Sequence, residues 1–222
     1  MKDDMLEGAR AMPQAPAVAA PGTSHRMASP RRRLPDAISW AVGTDPRDEP
    51  GSPVAPGGSA GAGGTAGMLG SVLLARSARG VCAILIGEGR SALVAELARY
   101  FPDAVLREDA VSLAGPLADW WAFLETPSRG FRHPLDVAGT PLQQQVWQAL
   151  QSVPAGATLT YSDLAARLGR PRAVRAVASA CAANRLAVVI PCHRVIGRNG
   201  SLTGYRWGID RKRSLLEMEA RG

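Results

Sequence analysis

The spacing of apolar positions divides the chain near Met68. Upstream, no period of 2 or 3.6 persists: nine of the seventeen prolines fall in residues 1–67, with Gly/Ala/Ser tracts such as Gly57–Gly67. Such a composition cannot bury enough apolar surface to offset the entropy of ordering, so residues 1–67 are predicted to be a disordered tail. The stretch ISWAV at 38–42 is its one strand-like island. Arg31, Arg32 and Arg33 read as a solvated charge run, with phosphate contact as the other reading. Downstream the pattern is regular. Residues 71–75 and 81–86 read as two strands around a short turn ending at Gly80. Residues 91–100 read as an amphipathic helix with Leu93, Val94 and Leu97 on one face, stopped by Pro102, and Val105–Leu106 as a further strand. Residues 112–125 form a strongly apolar helix with Pro116 expected in its first turn; Trp120, Trp121, Phe123 and Leu124 suit packing on a sheet. Residues 68–138 thus read as a small α+β unit without a catalytic constellation, in which Cys82 is a core residue.

Helix signals sharpen after Gly139. Thr140-Pro141-Leu142-Gln143 combines an N-cap, a proline at the first helical position and a capping-box glutamine, so a helix runs to about Gln151 with Val146, Trp147 and Leu150 inward. Thr160 caps a second helix over 161–168, which ends at Gly169. Pro171 is expected to start a third, running to about Ala183. Two short helices joined by a tight glycine-containing turn predict a helix-turn-helix within a unit spanning 139–222. In the third helix Val174, Val177 and Cys181 face the core, while Arg172, Arg175, Ser179 and Ala182 face out. Reading bases in the major groove needs several Arg, Asn or Gln side chains. This face offers mostly small groups and one central arginine, which points to shape-driven, sequence-tolerant binding in the minor groove. Tight packing of the alanines against a neighbouring element is the plainer alternative.

Charge supports a polyanionic partner. Residues 1–139 carry 14 Lys+Arg against 15 Asp+Glu, whereas residues 140–222 carry 12 against 4, so the formal net charge of +7 resides in the last third. No run of eighteen apolar residues and no signal-like leader is visible, so the sequence predicts a cytoplasmic protein with no membrane partner. Three scattered cysteines (Cys82, Cys181 and Cys192) and no CxxC pair predict neither a disulfide framework nor a metal site.

The chemistry concentrates in LAVVIPCHRV at 186–195. Leu186–Ile190 reads as a buried strand or extended segment ending at Pro191. A thiolate is the attacking form of cysteine, and His193 and Arg194 supply a base and a positive charge beside Cys192. In extended backbone adjacent side chains point apart, so a Cys–His link would need a turn or a bridging water.

The motif PCHRV at 191–195, Asn184 eight residues before the cysteine and Tyr205 thirteen after it resemble the O6-alkylguanine-DNA alkyltransferases. The similarity is greatest to the alkyltransferase half of bacterial adaptive-response proteins. It spans about 70–220 and runs through GTPLQQQVWQAL, VPAGATLTYSDLA, RAVRAVASACAANRLAVVIPCHRV and GYRWGIDRKRSLLE. The resemblance implies a ribonuclease H-like sheet subdomain followed by a winged-helix-like domain. It also implies single-turnover transfer of the alkyl group from O6-methylguanine, and from O4-methylthymine, in double-stranded DNA to Cys192, by a monomer without cofactor. His193 would take the thiol proton through a water, Glu219 would orient it, and Asn184 would tie the recognition helix to the active-site turn. Tyr161 would crowd the target phosphate and polarise the purine, and Arg175 would fill the gap left by the flipped base. Arg172 and Ser179 would share that face, and Val195, Tyr205 and Arg206 would line the guanine pocket, partly by backbone contacts.

Plain alternatives stand beside these roles: Glu219 as a solvated helix residue, Tyr161 as a packing residue, Arg175 as a phosphate contact. For the whole chain, a DNA-binding module without chemistry and a cysteine hydrolase are the other readings. The acceptor cysteine argues against the first, and the lack of a further nucleophile–base pair against the second. Two departures from the adaptive-response pattern are visible. The four cysteines of the zinc domain that accepts methyl groups from phosphotriesters are absent, so repair without that sensor function is expected, and deletion of residues 1–67 is expected to be tolerated. Trp207 stands where some relatives have small residues, which bears on the fit of bulky adducts.

Overall fold

The computed structural model describes residues 35–44 and 69–221. Strands β1 (Ala37–Thr44), β2 (Ser71–Ser77), β3 (Gly80–Gly87) and β4 (Val105–Glu108) form one sheet in the order β3-β2-β1-β4. The β1–β2 and β2–β3 pairs are antiparallel and β1–β4 is parallel. The strand-like island at 38–42 is therefore an interior strand. The expected boundary at residue 68 is corrected, because the sheet unit begins upstream of it. Ile38, Trp40 and Ala41 are buried, and their alternation with less buried neighbours is too short for composition to outweigh the flanking Pro/Gly-rich sequence. The rest of the expected tail, with Arg31, Arg32 and Arg33, lies outside the described residues.

Helix α1 (Arg90–Tyr100) packs on β2 and β3, and α2 (Ala110–Glu125) covers β1. Helix α2 starts earlier than expected because Asp109 caps it, its side chain accepting from the Ser112 N–H at 3.0 Å. Pro116 consequently sits in the helix interior and not in the first turn, with Leu113, Leu117, Trp120 and Trp121 buried around it.

The second unit is helical. Helix α3 (Pro141–Gln151) has the predicted capping box: Thr140 accepts from the Gln143 N–H, and the Gln143 side chain accepts from the Thr140 N–H. Helix α4 (Tyr161–Arg167) has another, between Thr160 and Asp163. Helix α5 (Val174–Ala182) begins three residues later than Pro171 suggested, since residues 171–172 form a turn and Ala173 occupies the N-cap. Its inward face is Val177, Ala180 and Cys181, with Val174 half-buried. A two-residue parallel ladder joins β5 (Leu159–Thr160) to β6 (Val195–Ile196), and α6 (Ile209–Arg221) follows. Among the described residues no helix is long and apolar enough to cross a membrane.

The two units meet at the segment that precedes Cys192. The Ile84 N–H of β3 donates to the Arg185 carbonyl at 2.7 Å, and the Ala187 N–H donates to the Ile84 carbonyl at 3.0 Å. Trp120 Nε1 donates to the Ala187 carbonyl at 3.2 Å, and Trp147 Nε1 to the Ala180 carbonyl at 2.9 Å. Both indoles thus bury their rings while meeting their one hydrogen-bond demand. Through them the sheet unit and α3 fix the backbone on which the site is built.

Candidate active site

Leu186–Ile190 is a buried turn, which corrects the expected strand. Only Leu186 makes a bridge to the sheet, and residues 187–190 fold back on themselves. Val188 has φ 68°, a left-handed value unfavourable for a β-branched residue, and the Val189 N–H donates to the Ala187 carbonyl across it at 2.8 Å. A second tight turn follows at Pro191 (φ −80°, ψ 61°), across which the Cys192 N–H donates to the Ile190 carbonyl at 2.8 Å. Cys192–Arg194 then forms one 3-10 turn leading into β6. Strain at Val188 of about 1–3 kcal/mol persists because its surroundings over-determine it.

Asn184 supplies much of that determination. Its Oδ1 accepts from the Leu186 N–H at 2.8 Å, and its Nδ2 donates to the Ile190 carbonyl at 2.8 Å and to Cys192 Sγ at 3.3 Å. One buried amide thereby joins the end of α5, the turn and the thiol. Burial pushes the Cys192 thiol up to about 11, against the opposing pull of the Asn184 hydrogen bond and the nearby Lys212 charge. At neutral pH the sulfur carries its proton and needs a base.

His193 is buried, and burial lowers its pKa from the ordinary value near 6.5, with Glu219 offsetting part of the effect. The ring is neutral at pH 7. Its Nε2 lies 2.9 Å from Glu219 Oε1. Burial also opposes ionisation of Glu219, yet the hydrogen bonds from His193 and Arg194 outweigh it and hold the carboxyl at about 2. Arg194 donates to both carboxylate oxygens at 2.7 to 3.2 Å, and the Gly156 N–H donates to Oε2 at 3.2 Å. Facing an ionised carboxylate, Nε2 is the protonated nitrogen of the neutral ring. Nδ1 is therefore the lone-pair nitrogen, and among the described residues it has no hydrogen-bond partner. The arrangement is a buried thiol followed by a neutral histidine whose tautomer is set by an anion.

A family model described as 6-O-methylguanine DNA methyltransferase, DNA binding domain, matches residues 141–221. The chain is 49% identical over 152 residues to the Escherichia coli K12 bifunctional transcriptional activator/DNA repair enzyme Ada, covering 68% of this chain and 43% of that protein. It is 46% identical over 123 residues to the inducible methylated-DNA–protein-cysteine methyltransferase of Bacillus subtilis, covering 55% of this chain and 69% of that protein. The crystal structure of Mycobacterium tuberculosis OGT in complex with DNA superposes with a TM-score of 0.62 at 31% identity, over 82% of this chain and 93% of that one. The chain belongs to the methylated-DNA–protein-cysteine methyltransferase family. It spans less than half the length of the Ada-type relatives from E. coli and Salmonella typhimurium.

The residues that the methyltransferase resemblance singles out fall into two groups. Asn184, Cys192, His193, Val195, Tyr205 and Glu219 converge: the Tyr205 ring stands edge-on to His193 at 6.3 Å, and Val195 leads out of the 3-10 turn. Tyr161 joins them from the start of α4. Burial holds its phenol protonated, at about 12, and its O–H donates to the Thr203 carbonyl at 3.3 Å. Gly204 (φ 70°) permits that approach, since a Cβ there would stand 2.9 Å from the Tyr161 hydroxyl. Arg172, Arg175 and Ser179 are apart from this group, exposed with Ala182 along the outer side of α5 and the turn before it. The Arg206 guanidinium donates to the Ala182 carbonyl at 2.6 and 2.8 Å, so its side chain contacts α5 and a place in the pocket would fall to its backbone. Arg194 departs from expectation, since its charge is taken up by Glu219.

Lys212 was not singled out by the sequence reading. It is fully buried on α6, and its Nζ donates to the Val195 carbonyl at 2.5 Å and the Thr203 carbonyl at 2.9 Å. One ammonium thus joins β6, which follows Cys192, to the loop before Tyr205. The available signal was that Lys212 is the single lysine among the twelve cations of residues 140–222, at i, i+3 and i+7 spacing with Leu215 and Glu219.

Proposed function

We propose that this chain repairs alkylated DNA by transferring the alkyl group from O6 of a guanine in duplex DNA to Cys192, once per molecule. The observation that carries the reading is the Cys192–His193–Glu219 arrangement, in which the anion fixes a neutral histidine as a base beside a protonated thiol. The names of the relatives support it, since they describe methyl transfer from DNA to a protein cysteine. In the proposed step the thiol proton passes to His193 Nδ1 through a water. A sulfur–carbon bond forms as the carbon–O6 bond breaks, and the departing guanine regains a proton at N1. Protein thiol and methylguanine become protein thioether and guanine, so the balance requires no cofactor. The same step is open to O4-methylthymine. The alkyl carbon lies inside the stack, so the nucleotide must be extruded at a cost of a few kcal/mol. Small residues on α5 suit a close approach to the minor groove, with Arg172 and Ser179 toward the backbone and Arg175 filling the space the base leaves. Val195 and Tyr205 would line the pocket, and Tyr161 would polarise the purine.

This reading also assigns α4 and α5 to a helix-turn-helix of winged-helix-like type within residues 139–222. It assigns the sheet unit, which reaches residue 138, to a ribonuclease H-like subdomain. The mixed sheet order with one parallel edge and the short β5–β6 ladder, whose strands flank α4 and α5 in the chain, support these labels. A monomer acting in the cytoplasm suffices for the chemistry.

Incubation with excess O6-methylguanine duplex should saturate at about one methyl group per chain, with the added mass on the Cys192 peptide. Sustained turnover would exclude thioether formation as the end point. The pH profile follows from the lowered pKa of His193. The base form persists as pH falls past 6.5, and Glu219 stays ionised throughout, so the second-order rate should hold level from pH 8 to below 6.5. A midpoint at or above 6.5 would contradict a buried neutral base.

A further inference from the structure

Arg206 follows the pocket residue Tyr205 in the chain, yet its guanidinium faces α1 and α5. Besides its two hydrogen bonds to Ala182, the last residue of α5, its Nη1 lies 3.6 Å from Glu96 Oε1. Its Cζ stands 5.3 Å from the centre of the Tyr100 ring. Glu96 and Tyr100 are one turn apart on α1, and the Tyr100 hydroxyl donates to Glu96 Oε1 at 2.7 Å. Arg185, between α5 and the acceptor turn, covers the same ring at 4.7 Å. One aromatic side chain of the sheet unit therefore carries two guanidiniums, from segments on either side of Cys192.

The physical terms are mutually dependent. The last carbonyls of a helix lack intrahelical partners and sit at the negative end of its dipole, so a guanidinium caps them well. Two cations over one ring repel each other, and Glu96 supplies the countercharge. Each contact is partly solvated, with Arg206 and Glu96 side chains 29% and 20% exposed, so the cluster acts through geometry more than through any single bond. Helix α1 is itself seated on β2 and β3, which makes the sheet the reference frame.

We infer that Glu96, Tyr100 and Arg206 form a positioning cluster that fixes the end of α5 relative to the loop carrying Tyr205, so that the helix on the DNA and the pocket receiving the extruded base keep one placement. This rests on the alkyl-transfer reading above. The pocket wall is secured separately, by Lys212 on Val195 and Thr203. A free base fills the pocket without engaging α5 and does not need the cluster. A base extruded from a duplex must reach the thiol while α5 stays seated, and misplacement by about 1 Å at that stage costs up to about a hundredfold in rate.

The test is the second-order rate with O6-methylguanine duplex and with free O6-methylguanine, for wild type, Tyr100→Leu, Arg206→Met, Arg206→Lys and the Tyr100→Leu/Arg206→Met double variant. Tyr100→Leu should slow the duplex reaction about tenfold and the free-base reaction less than about twofold. Arg206→Met should lower the duplex-to-free ratio at least as far, and the double variant should be little worse than the poorer single one. Arg206→Lys keeps the charge without the planar fork and should recover part of the ratio. Equal slowing on both substrates, no slowing on either, or independent multiplication of the two effects would overturn the positioning role. Absence of transfer by the wild type from either substrate would remove the alkyl-transfer reading itself, and the positioning role with it.

Discussion

Cys192→Ala is expected to bind O6-methylguanine duplex within about twofold of wild-type affinity and to transfer nothing. The thiol contributes one hydrogen bond to the fold, from Asn184 Nδ2, and that amide also donates to the Ile190 carbonyl, so the turn keeps its tie. The residues proposed to meet DNA lie on the exposed side of α5 and do not depend on the sulfur. The remaining cysteines cannot substitute, because Cys82 and Cys181 are buried, and burial pushes each thiol up to about 12. Neither lies in the 3-10 turn Cys192–Arg194, in which the next residue, His193, is hydrogen-bonded to Glu219. Cys192→Ser is the sharper variant. It retains a hydrogen-bond acceptor of similar shape but an alcohol that His193 cannot deprotonate to a useful extent, so it too should be inert. Labelled methyl transfer and titration binding to the same duplex measure the two halves. Residual label on either variant would mean another acceptor, and lost binding would mean that the thiol holds DNA as well as reacting with it.

What the sequence disclosed, and what it withheld, follows from how local each signal is. The capping boxes at Thr140 and Thr160 are written within four residues, and both are present in the structure. The inward faces of α3 and α5 follow from a 3.6 period with few exceptions. The turn before Cys192 was less legible. LAVVI has the composition of a strand, and its folding into a turn depends on Asn184, β3 and Trp120, which lie up to about a hundred residues away in the chain. The convergence of Cys192, His193 and Glu219 came from resemblance to a family and not from spacing, because α6 returns to the site from 26 residues downstream. Lys212 and Arg194 were missed or misassigned for a related reason. Both are cations whose partners are backbone carbonyls or a distant carboxylate, so the contacts that bury them lie outside their local sequence. Strand β1 was legible as five residues and was overruled by the composition around it.

That strand carries the second large effect. A chain beginning at residue 35 should match the full-length protein in melting temperature and transfer, because it retains every described element and every site residue. A chain beginning at residue 45 should lose cooperative folding. Among the described strands β4 pairs in the sheet through β1 alone, and β2 would exchange an interior position for an open edge. Ile38 and Trp40 are 1% and 7% exposed, and their burial contributes about 1.5–3 kcal/mol each, against a net stability of about 5–15 kcal/mol for a domain. Loss of the backbone ladder and exposure of the Leu117 and Trp121 side of α2 add to that cost. The damage should reach the chemistry as well, since β3 and Trp120 hold the turn before Cys192 through Ile84 and the Ala187 carbonyl. Ile38→Ala in the full chain is the milder version. It should cost about 2–5 kcal/mol and lower the melting temperature by roughly 5–15 °C, with the transfer rate of the folded fraction little changed. Thermal melts and methyl transfer by the two truncated chains decide the matter. A chain starting at residue 45 that melts and repairs like the full-length protein would show that β1 is an accessory to the sheet and return residues 1–67 to the role of a dispensable tail.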